Sequence, residues 1–158
     1  TRMDRQLNGA FVALLVVAAL AGLLTQPAAA KVYGNAFSAK RFPVEAAAFI
    51  ETQLAAGKLG GKVYAVDQFG GYLIYRFAPR VKVFVDGRSD LYRHSTVLDD
   101  MNRLAQARPD WAAILARYDI EWMVLQRAEP LSLMAVQSGA WQIAHADGTA
   151  QILIRQGR

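Results

Sequence analysis

Two short apolar segments, each followed directly by an aspartate, constrain the fold of this chain most strongly. Residues 62–66 precede Asp67, and residues 81–85 precede Asp86. Both segments are rich in β-branched and aromatic residues, which indicates buried strands. A Gly-Gly step follows the first aspartate, and the second opens an Asp-Gly-Arg turn. Because a packed core needs neither feature, the two strand ends also mark the position where we expect a site.

The remaining elements are predicted to alternate between helix and strand. The predicted helices cover residues 43–57, 72–77, 96–107, 109–118 and 131–138, and the later strands cover residues 122–125, 141–145 and 150–154. Asp147-Gly148 between the last two strands is typical of a β-hairpin. This order predicts an α/β layered sandwich with a mostly parallel sheet and a C-terminal antiparallel hairpin at one edge.

An uncharged apolar segment, residues 10–24, lies near the N-terminus, after Arg2 and Arg5 and before Ala28-Ala-Ala30. Residues 1–30 therefore fit either a secretory signal peptide or one apolar membrane helix, and the start at Thr1 favours a helix from a larger membrane protein. In both cases the basic residues predict a cytoplasmic N-terminus. We expect a linker over residues 31–42 and an extracytoplasmic α/β domain over residues 43–158.

Composition narrows the classes of function. With 54% hydrophobic residues, 158 residues are enough for one domain with a core. The absence of cysteine excludes disulfides and thiolate chemistry. The net charge of +5 is scattered along the chain, so the sequence does not favour a nucleic-acid binder. Neither histidine has metal-ligand spacing, and Asp67, Asp86 and Asp90 lack the spacing of a cation site, so we predict no metal. The glycine-rich stretches match neither a P-loop nor a dinucleotide motif, and Ser89 has no nucleophile-elbow context, so we predict no cofactor and no catalytic residue.

The predicted site lies where the carboxyl ends of the two early strands meet, because ligands of open α/β sheets bind there. A sugar, phosphate or peptide would fit, with Arg88 binding an anionic group. Alternatively, Arg88 pairs with Asp86 or Asp90 and only holds the loop. The residues expected to line a ligand site are Asp67, Phe69, Gly70, Gly71, Tyr72, Asp86, Gly87, Arg88, Asp90 and Tyr92.

Three stretches carry a resemblance to a known group of proteins: residues 67–76, residues 82–92 with their Asp-Gly-Arg turn, and residues 118–125. Together they resemble the C-terminal extracytoplasmic domain of bacterial multi-pass membrane proteins, which are similar to GT-C-type, polyprenyl-phosphate-sugar-dependent glycosyltransferases. A more distant likeness is to the soluble domain of oligosaccharyltransferases, although the paired tryptophans of that domain are absent here.

The resemblance implies an accessory domain without activity of its own, since the catalytic carboxylates of GT-C enzymes lie in loops between membrane helices. It implies as partners the membrane, the remainder of a multi-pass protein, and a polyprenyl-phosphate-linked sugar or a glycan or peptide acceptor. Two other functions stay open. One is a secreted or periplasmic binding module that acts alone, and the other is a structural domain without a ligand.

Overall fold

The computed structural model describes residues 10–24 and 37–157, and the chain divides into two compact units, residues 1–36 and 37–158. Helix α1 (Ala10–Leu24) has 15 residues, and all of residues 10–22 are exposed. Within the two described ranges, no helix combines the length and apolar character needed to cross a membrane. Arg2, Arg5, Ala28-Ala-Ala30 and the first part of the predicted linker, residues 31–36, lie outside the described residues.

The second unit has the predicted order of helices and strands, with one additional short helix over residues 89–92 that the sequence did not predict. Its elements are α2 (Val44–Ala55), β1 (Lys62–Ala65), α3 (Asp67–Phe77), β2 (Lys82–Val83), α4 (Ser89–Tyr92), α5 (Val97–Ala105), α6 (Trp111–Arg117), β3 (Ile120–Leu125), α7 (Pro130–Gln137), β4 (Trp141–Ala146) and β5 (Gln151–Arg155).

These strands form one five-stranded mixed sheet in the order β2-β1-β3-β5-β4. Strand β1 pairs in parallel with β2 and β3, whereas β5 pairs in antiparallel fashion with β3 and β4. The parallel early strands and the hairpin at the edge confirm the prediction. The prediction of a mostly parallel sheet is wrong, because two strand pairs are parallel and two are antiparallel. The second antiparallel pair arises because the hairpin joins the sheet through β5, which pairs with β3.

Helices cover both faces of the sheet, which gives the layered α/β architecture. Side chains alternate along β1, so that Val63 and Ala65 pack under α2 and α3 while Tyr64 faces α5, α6 and α7. Trp122 lies in the first core, and Trp111 and Trp141 lie in the second. The three tryptophans are therefore core residues.

Helix α3 begins at Asp67, five positions earlier than predicted (72 − 67), so the Gly-Gly step lies inside a helix rather than in a turn. The residues that stabilise this helix recur every four positions: Phe69, Leu73 and Phe77 are fully buried in the first core. Burial of this stripe outweighs the low helix propensity of two glycines. Strand β2 is shorter than predicted, with only two residues.

Candidate functional site

The loops after β1 and β2 lie side by side at the carboxyl ends of these strands, as their parallel pairing requires. Asp67 begins α3 directly after β1, and the Asp86-Gly87-Arg88 turn follows β2. A Cβ atom built on Gly87 would lie 4.0 Å from Oδ1 of Asp67. The structure therefore brings together the two predicted strand ends, and we call this region the rim.

Gly70 allows α3 to pack directly against the backbone that follows β2. A Cβ atom at this position would lie 2.3 Å from the carbonyl oxygen of Val85 and 3.2 Å from Cα of Asp86. Gly71 has open space in the same direction, with no atom within 4 Å. The first glycine is thus required by a close approach of two backbone segments, and the second is not.

Asp86 is the centre of a hydrogen-bond network inside its own turn. Its Oδ1 accepts hydrogen bonds from the backbone N–H and the Nε of Arg88, both at 3.0 Å, and from the hydroxyl of Tyr92 at 3.3 Å. Its Oδ2 accepts from Nε of Arg88 at 2.9 Å and from Nη2. The Arg88 guanidinium therefore holds the pKa of the Asp86 carboxyl below its usual range.

The two charged side chains of this turn differ in exposure. The Asp86 side chain is 5% exposed, whereas that of Arg88 is 66% exposed. Asp86 was expected to line a ligand site, but its carboxylate instead accepts hydrogen bonds from donors within the loop. Asp90 is exposed and pairs with Arg93 instead of Arg88. Of the two pairings weighed for Arg88, the structure forms the one with Asp86.

Two of the predicted aromatic site residues lie in the core rather than at the rim. Phe69 is fully buried. Tyr72 is 3% exposed, and its ring contacts Phe37 and Phe42. Burial raises the pKa of the Tyr72 hydroxyl. Neither ring offers a free face on which a sugar could stack, because both belong to the buried side of α3.

Glu129 is a residue near the rim that the sequence analysis missed. It follows the carboxyl end of β3, immediately before α7, and is half-buried. Burial raises the pKa of its carboxyl group. Burial also raises the pKa of the Tyr64 hydroxyl, and the negative charge of Glu129 adds to this effect. The signal in the sequence was its position: like Asp67 and Asp86, it is an acid that follows a parallel strand.

Chemically, the rim offers an oriented guanidinium, exposed carboxylates and exposed backbone. The predicted site residues that remain exposed are Asp67, Gly71, Gly87, Arg88 and Asp90. Among the described residues, no group of three or more histidines and carboxylates has the arrangement to hold a metal ion. The arrangement is suited to binding a polar or anionic group.

A charged cleft of about 240 Å³ lies at the opposite end of the parallel strands from the rim, near the amino ends of β1 and β3. Its lining includes Lys58, Asp119, Glu121 and Arg155. Trp122 forms part of its wall and donates a hydrogen bond from Nε1 to the carbonyl oxygen of Gly60 at 2.8 Å. Two acids and two bases line this cleft, so it has no dominant charge for an anionic ligand.

Comparison with known proteins yields no match to a protein-family model, to a curated protein or to a solved structure.

Proposed function

We propose that this chain is a membrane-anchored extracytoplasmic accessory domain of a GT-C-like glycosyltransferase. In this proposal its rim assists the binding of a lipid-linked sugar or of the acceptor, and catalysis takes place in a membrane part that the chain does not contain. The observation that carries the proposal is the geometry of Arg88, a guanidinium that is oriented by a buried carboxylate while its outer part stays accessible.

The contacts with Asp86 involve Nε and Nη2 of Arg88, and 66% of the Arg88 side chain remains exposed. The outer N–H donors are therefore available to a ligand. A guanidinium binds phosphate oxygens through paired hydrogen bonds, and fixing its orientation beforehand reduces the entropy lost on binding. The phosphate of a polyprenyl-linked sugar matches this donor geometry.

The anchoring part of the proposal is supported by the composition of α1. This helix contains no charged residue, and residues 10–22 are all exposed. Exposed apolar surface of this extent marks a membrane or protein contact. Its 15 residues correspond to about 22 Å, less than the roughly 30 Å of a bilayer core. The proposal therefore requires residues that flank α1 to contribute to the anchor.

The test uses the full chain reconstituted in vesicles that contain polyprenyl phosphate, with vesicles that lack it as reference. Binding is measured by protection of the chain against thermal unfolding as the mole fraction of polyprenyl phosphate rises. We expect Arg88→Ala to weaken binding about tenfold, which corresponds to one lost charge-assisted interaction. Arg88→Lys keeps the charge but not the paired donors, and we expect it to bind with intermediate affinity.

Arg93→Ala is the matched control, because Arg93 is equally exposed and also pairs with an aspartate. We expect this variant to bind like the wild-type chain. If Arg88→Ala and Arg88→Lys both retain wild-type binding, or if the wild-type chain shows no protection, the rim does not bind the phosphate and the proposal fails.

A structural domain without a ligand is the second candidate, and a specific observation favours it. Asp86 already accepts hydrogen bonds on both carboxylate oxygens from within its own turn. In that function Arg88 only stabilises the turn. Arg88→Ala would then lower the free energy of unfolding. The wild-type chain would unfold at the same temperature in vesicles with and without polyprenyl phosphate.

The secreted or periplasmic binding module is distinguished by processing. Mass spectrometry of the mature chain would show an N-terminus after Ala30 if the apolar segment is a signal peptide. Retention of the apolar segment supports the anchored domain.

A further inference from the structure

Four aromatic rings form a cluster on the α3 side of the second unit: Phe37, Phe42, Tyr72 and Tyr75. We call it the aromatic face. The ring centroid of Phe37 lies 4.9 Å from those of Phe42 and Tyr72 and 5.2 Å from that of Tyr75. Tyr72 is the buried base of the cluster, whereas Tyr75 is 64% and Phe37 37% exposed. The face thus presents two large rings to the surroundings.

The segment that carries Phe37 and Phe42 is ordered by hydrogen bonds within itself and is joined to the rest of the domain by one further hydrogen bond. The backbone N–H groups of Arg41 and Phe42 donate to the carbonyl oxygen of Ser38 at 3.0 and 2.9 Å. The hydroxyl of Thr149, in the β4–β5 connection, donates to the carbonyl oxygen of Ala39. The exposed rings are therefore positioned before any partner binds.

Cationic side chains accompany these rings. In the sequence, Lys40 and Arg41 lie between Phe37 and Phe42, and Arg76 follows Tyr75. The side chains of all three cations are exposed. Within the described part of the chain, none of the three has a carboxylate at ion-pair distance, although Arg76 lies over the ring of Phe77 and helps to lower the pKa of Glu51. Glu45 is the acid beside Lys40, and the two line a shallow cavity together with Asp147.

Elsewhere on the domain, several arginines are neutralised by aspartate or glutamate. Arg80 pairs with Glu51, Arg103 with Asp110, and Arg117 with Asp100. Unpaired cations beside exposed aromatic rings therefore distinguish the aromatic face from these parts of the surface.

We propose that the aromatic face docks on the headgroup region of an anionic bilayer. Aromatic rings with a polar edge favour the membrane interface, and juxtamembrane lysines and arginines are attracted to anionic lipids. The face also begins 13 positions after the last residue of α1 (37 − 24). This inference rests on the membrane anchoring proposed above and adds which surface of the domain faces the lipid.

Because the sequence contains no cysteine, a single introduced cysteine can be labelled site-specifically. Ser38→Cys introduces a label beside the aromatic face. Asn102→Cys introduces a matched label at an exposed position of α5, which packs on the opposite face of the sheet. Each full-length variant carries an environment-sensitive fluorophore and is reconstituted in vesicles of phosphatidylcholine with or without phosphatidylglycerol. Lipids with a nitroxide near the headgroup quench a label that lies at the interface.

With phosphatidylglycerol present, we expect the Ser38 label to be quenched at least threefold more strongly than the Asn102 label. Replacing Lys40, Arg41 and Arg76 by glutamate in the Ser38→Cys chain should abolish the difference, and so should replacing Phe37 and Tyr75 by serine. Circular dichroism and thermal unfolding establish that these variants stay folded.

Three results would overturn the proposal: equal quenching at the two positions, equal quenching of the Ser38 label in phosphatidylcholine alone, or quenching that survives both sets of replacements. Carbonate extraction of the same samples separates this inference from the proposed function. A chain that is extracted contradicts the membrane anchor itself, whereas a retained chain with an unquenched Ser38 label contradicts only the docking surface. That second result would leave the face open to a protein partner.

Discussion

At the scale of single residues, Gly70 and Gly71 are neighbours in α3 but face different surroundings. Gly70 faces the backbone of Val85 and Asp86, and Gly71 is exposed with open space at its Cβ position. Both have ordinary helical φ values, so backbone strain does not distinguish them. Their difference is one of packing alone, which makes them a matched pair.

We predict that Gly70→Ala and Gly71→Ala have opposite effects on stability. Gly70→Ala should lower the free energy of unfolding by about 1–3 kcal/mol, because its methyl group would push α3 away from the rim. Gly71→Ala should raise it by about 0.5–1 kcal/mol, since alanine favours a helix over glycine. Urea unfolding followed by tryptophan fluorescence measures both values. Equal effects of the two substitutions would contradict the close approach seen at Gly70.

A second prediction at this scale concerns the pH dependence of stability. The pKa of Asp86 is lowered in the folded state by Arg88, so its contribution is present above the unfolded value near 3.8 and is lost as pH falls through the folded value. Asp86→Asn should therefore be about 2 kcal/mol less stable than the wild-type chain at pH 7, as expected for lost hydrogen bonds to a charged group.

The difference between Asp86→Asn and the wild-type chain should begin to shrink as pH falls below about 3.8, where Asp86 takes up a proton in the unfolded chain, and should go on shrinking until pH falls below the lower pKa of the folded carboxyl group. Denaturant unfolding at intervals between pH 7 and pH 3 measures this difference. A gap that stays constant over the range would mean that the charge of Asp86 does not stabilise the turn.

At the scale of elements, individual buried carboxylates join neighbouring segments. Asp100 on α5 is buried and accepts hydrogen bonds from Nη2 of Arg117 at 2.8 Å and from the hydroxyl of Tyr118 at 2.7 Å, which ties α5 to the end of α6. Asp147 closes the β4–β5 hairpin, since its Oδ1 accepts from the backbone N–H groups of Thr149 at 2.7 Å and of Ala150 at 2.8 Å.

We predict that the hairpin depends on Asp147 and not on Gly148. Asp147→Ala leaves two backbone N–H groups without their acceptor and should lower the free energy of unfolding by about 1–2 kcal/mol. Gly148→Ala is the control, because no atom lies within 4 Å of its Cβ position and its φ is not positive. It should stay within about 0.5 kcal/mol of the wild-type chain. Comparable losses in both variants, measured by urea unfolding, would refute this account of the hairpin.

At the scale of the whole molecule, the two compact units have different surfaces. Helix α1 is apolar and exposed along residues 10–22, whereas the second unit buries its apolar residues in two cores on either side of the sheet. The proposed membrane association and the folding stability should therefore respond to different substitutions.

We predict that Leu14→Lys combined with Val17→Lys shifts the chain from the membrane fraction to the soluble fraction. Each lysine near a bilayer centre costs about 2.5–3.5 kcal/mol. Flotation and carbonate extraction measure the shift. The thermal unfolding of the second unit, followed through its buried tryptophans, should not change. Gln106→Lys, on the exposed surface of the second unit, is the control and should stay in the membrane fraction.

Wild-type-like retention of the doubly charged variant would mean that α1 is not the membrane anchor. A fall in the unfolding temperature of the second unit would mean that α1 supports the fold as well. Either result would require a different role for the apolar segment.

Much of the fold follows from local patterns in the sequence. The apolar segment before Asp67 predicted β1, the segment with Trp122 predicted β3, and Asp147-Gly148 predicted the edge hairpin. These predictions hold because a strand or a hairpin is specified by side-chain period and turn chemistry over a few residues. The start of α3 was predicted too late, because local propensity penalises the two glycines while the buried stripe of Phe69, Leu73 and Phe77 favours the helix.

The candidate site was less predictable than the fold. The sequence correctly indicated that the loops after β1 and β2 would meet, because parallel neighbours end at the same edge. It did not reveal which side chains face outward. Phe69 and Tyr72 pack in the core because of contacts with other segments of the chain. Asp86 is turned into its own loop by Arg88 and Tyr92, and the sequence left open whether Arg88 pairs with Asp86 or with Asp90.

The sequence by itself determined the α/β class, the order of the elements, the parallel early strands and the edge hairpin, since these depend on periodicity and turn residues. Only the tertiary structure decided the long α3, the buried Asp86 network with its exposed Arg88, and the aromatic face that joins Phe37 to Tyr75. The long α3 and the aromatic face arise where segments far apart in the chain come into contact, whereas the Asp86 network is local and depends on which of two nearby aspartates pairs with Arg88. Close packing stabilises one arrangement of these segments, and no local sequence pattern specifies it. The fit of Gly70 against Val85 is an example.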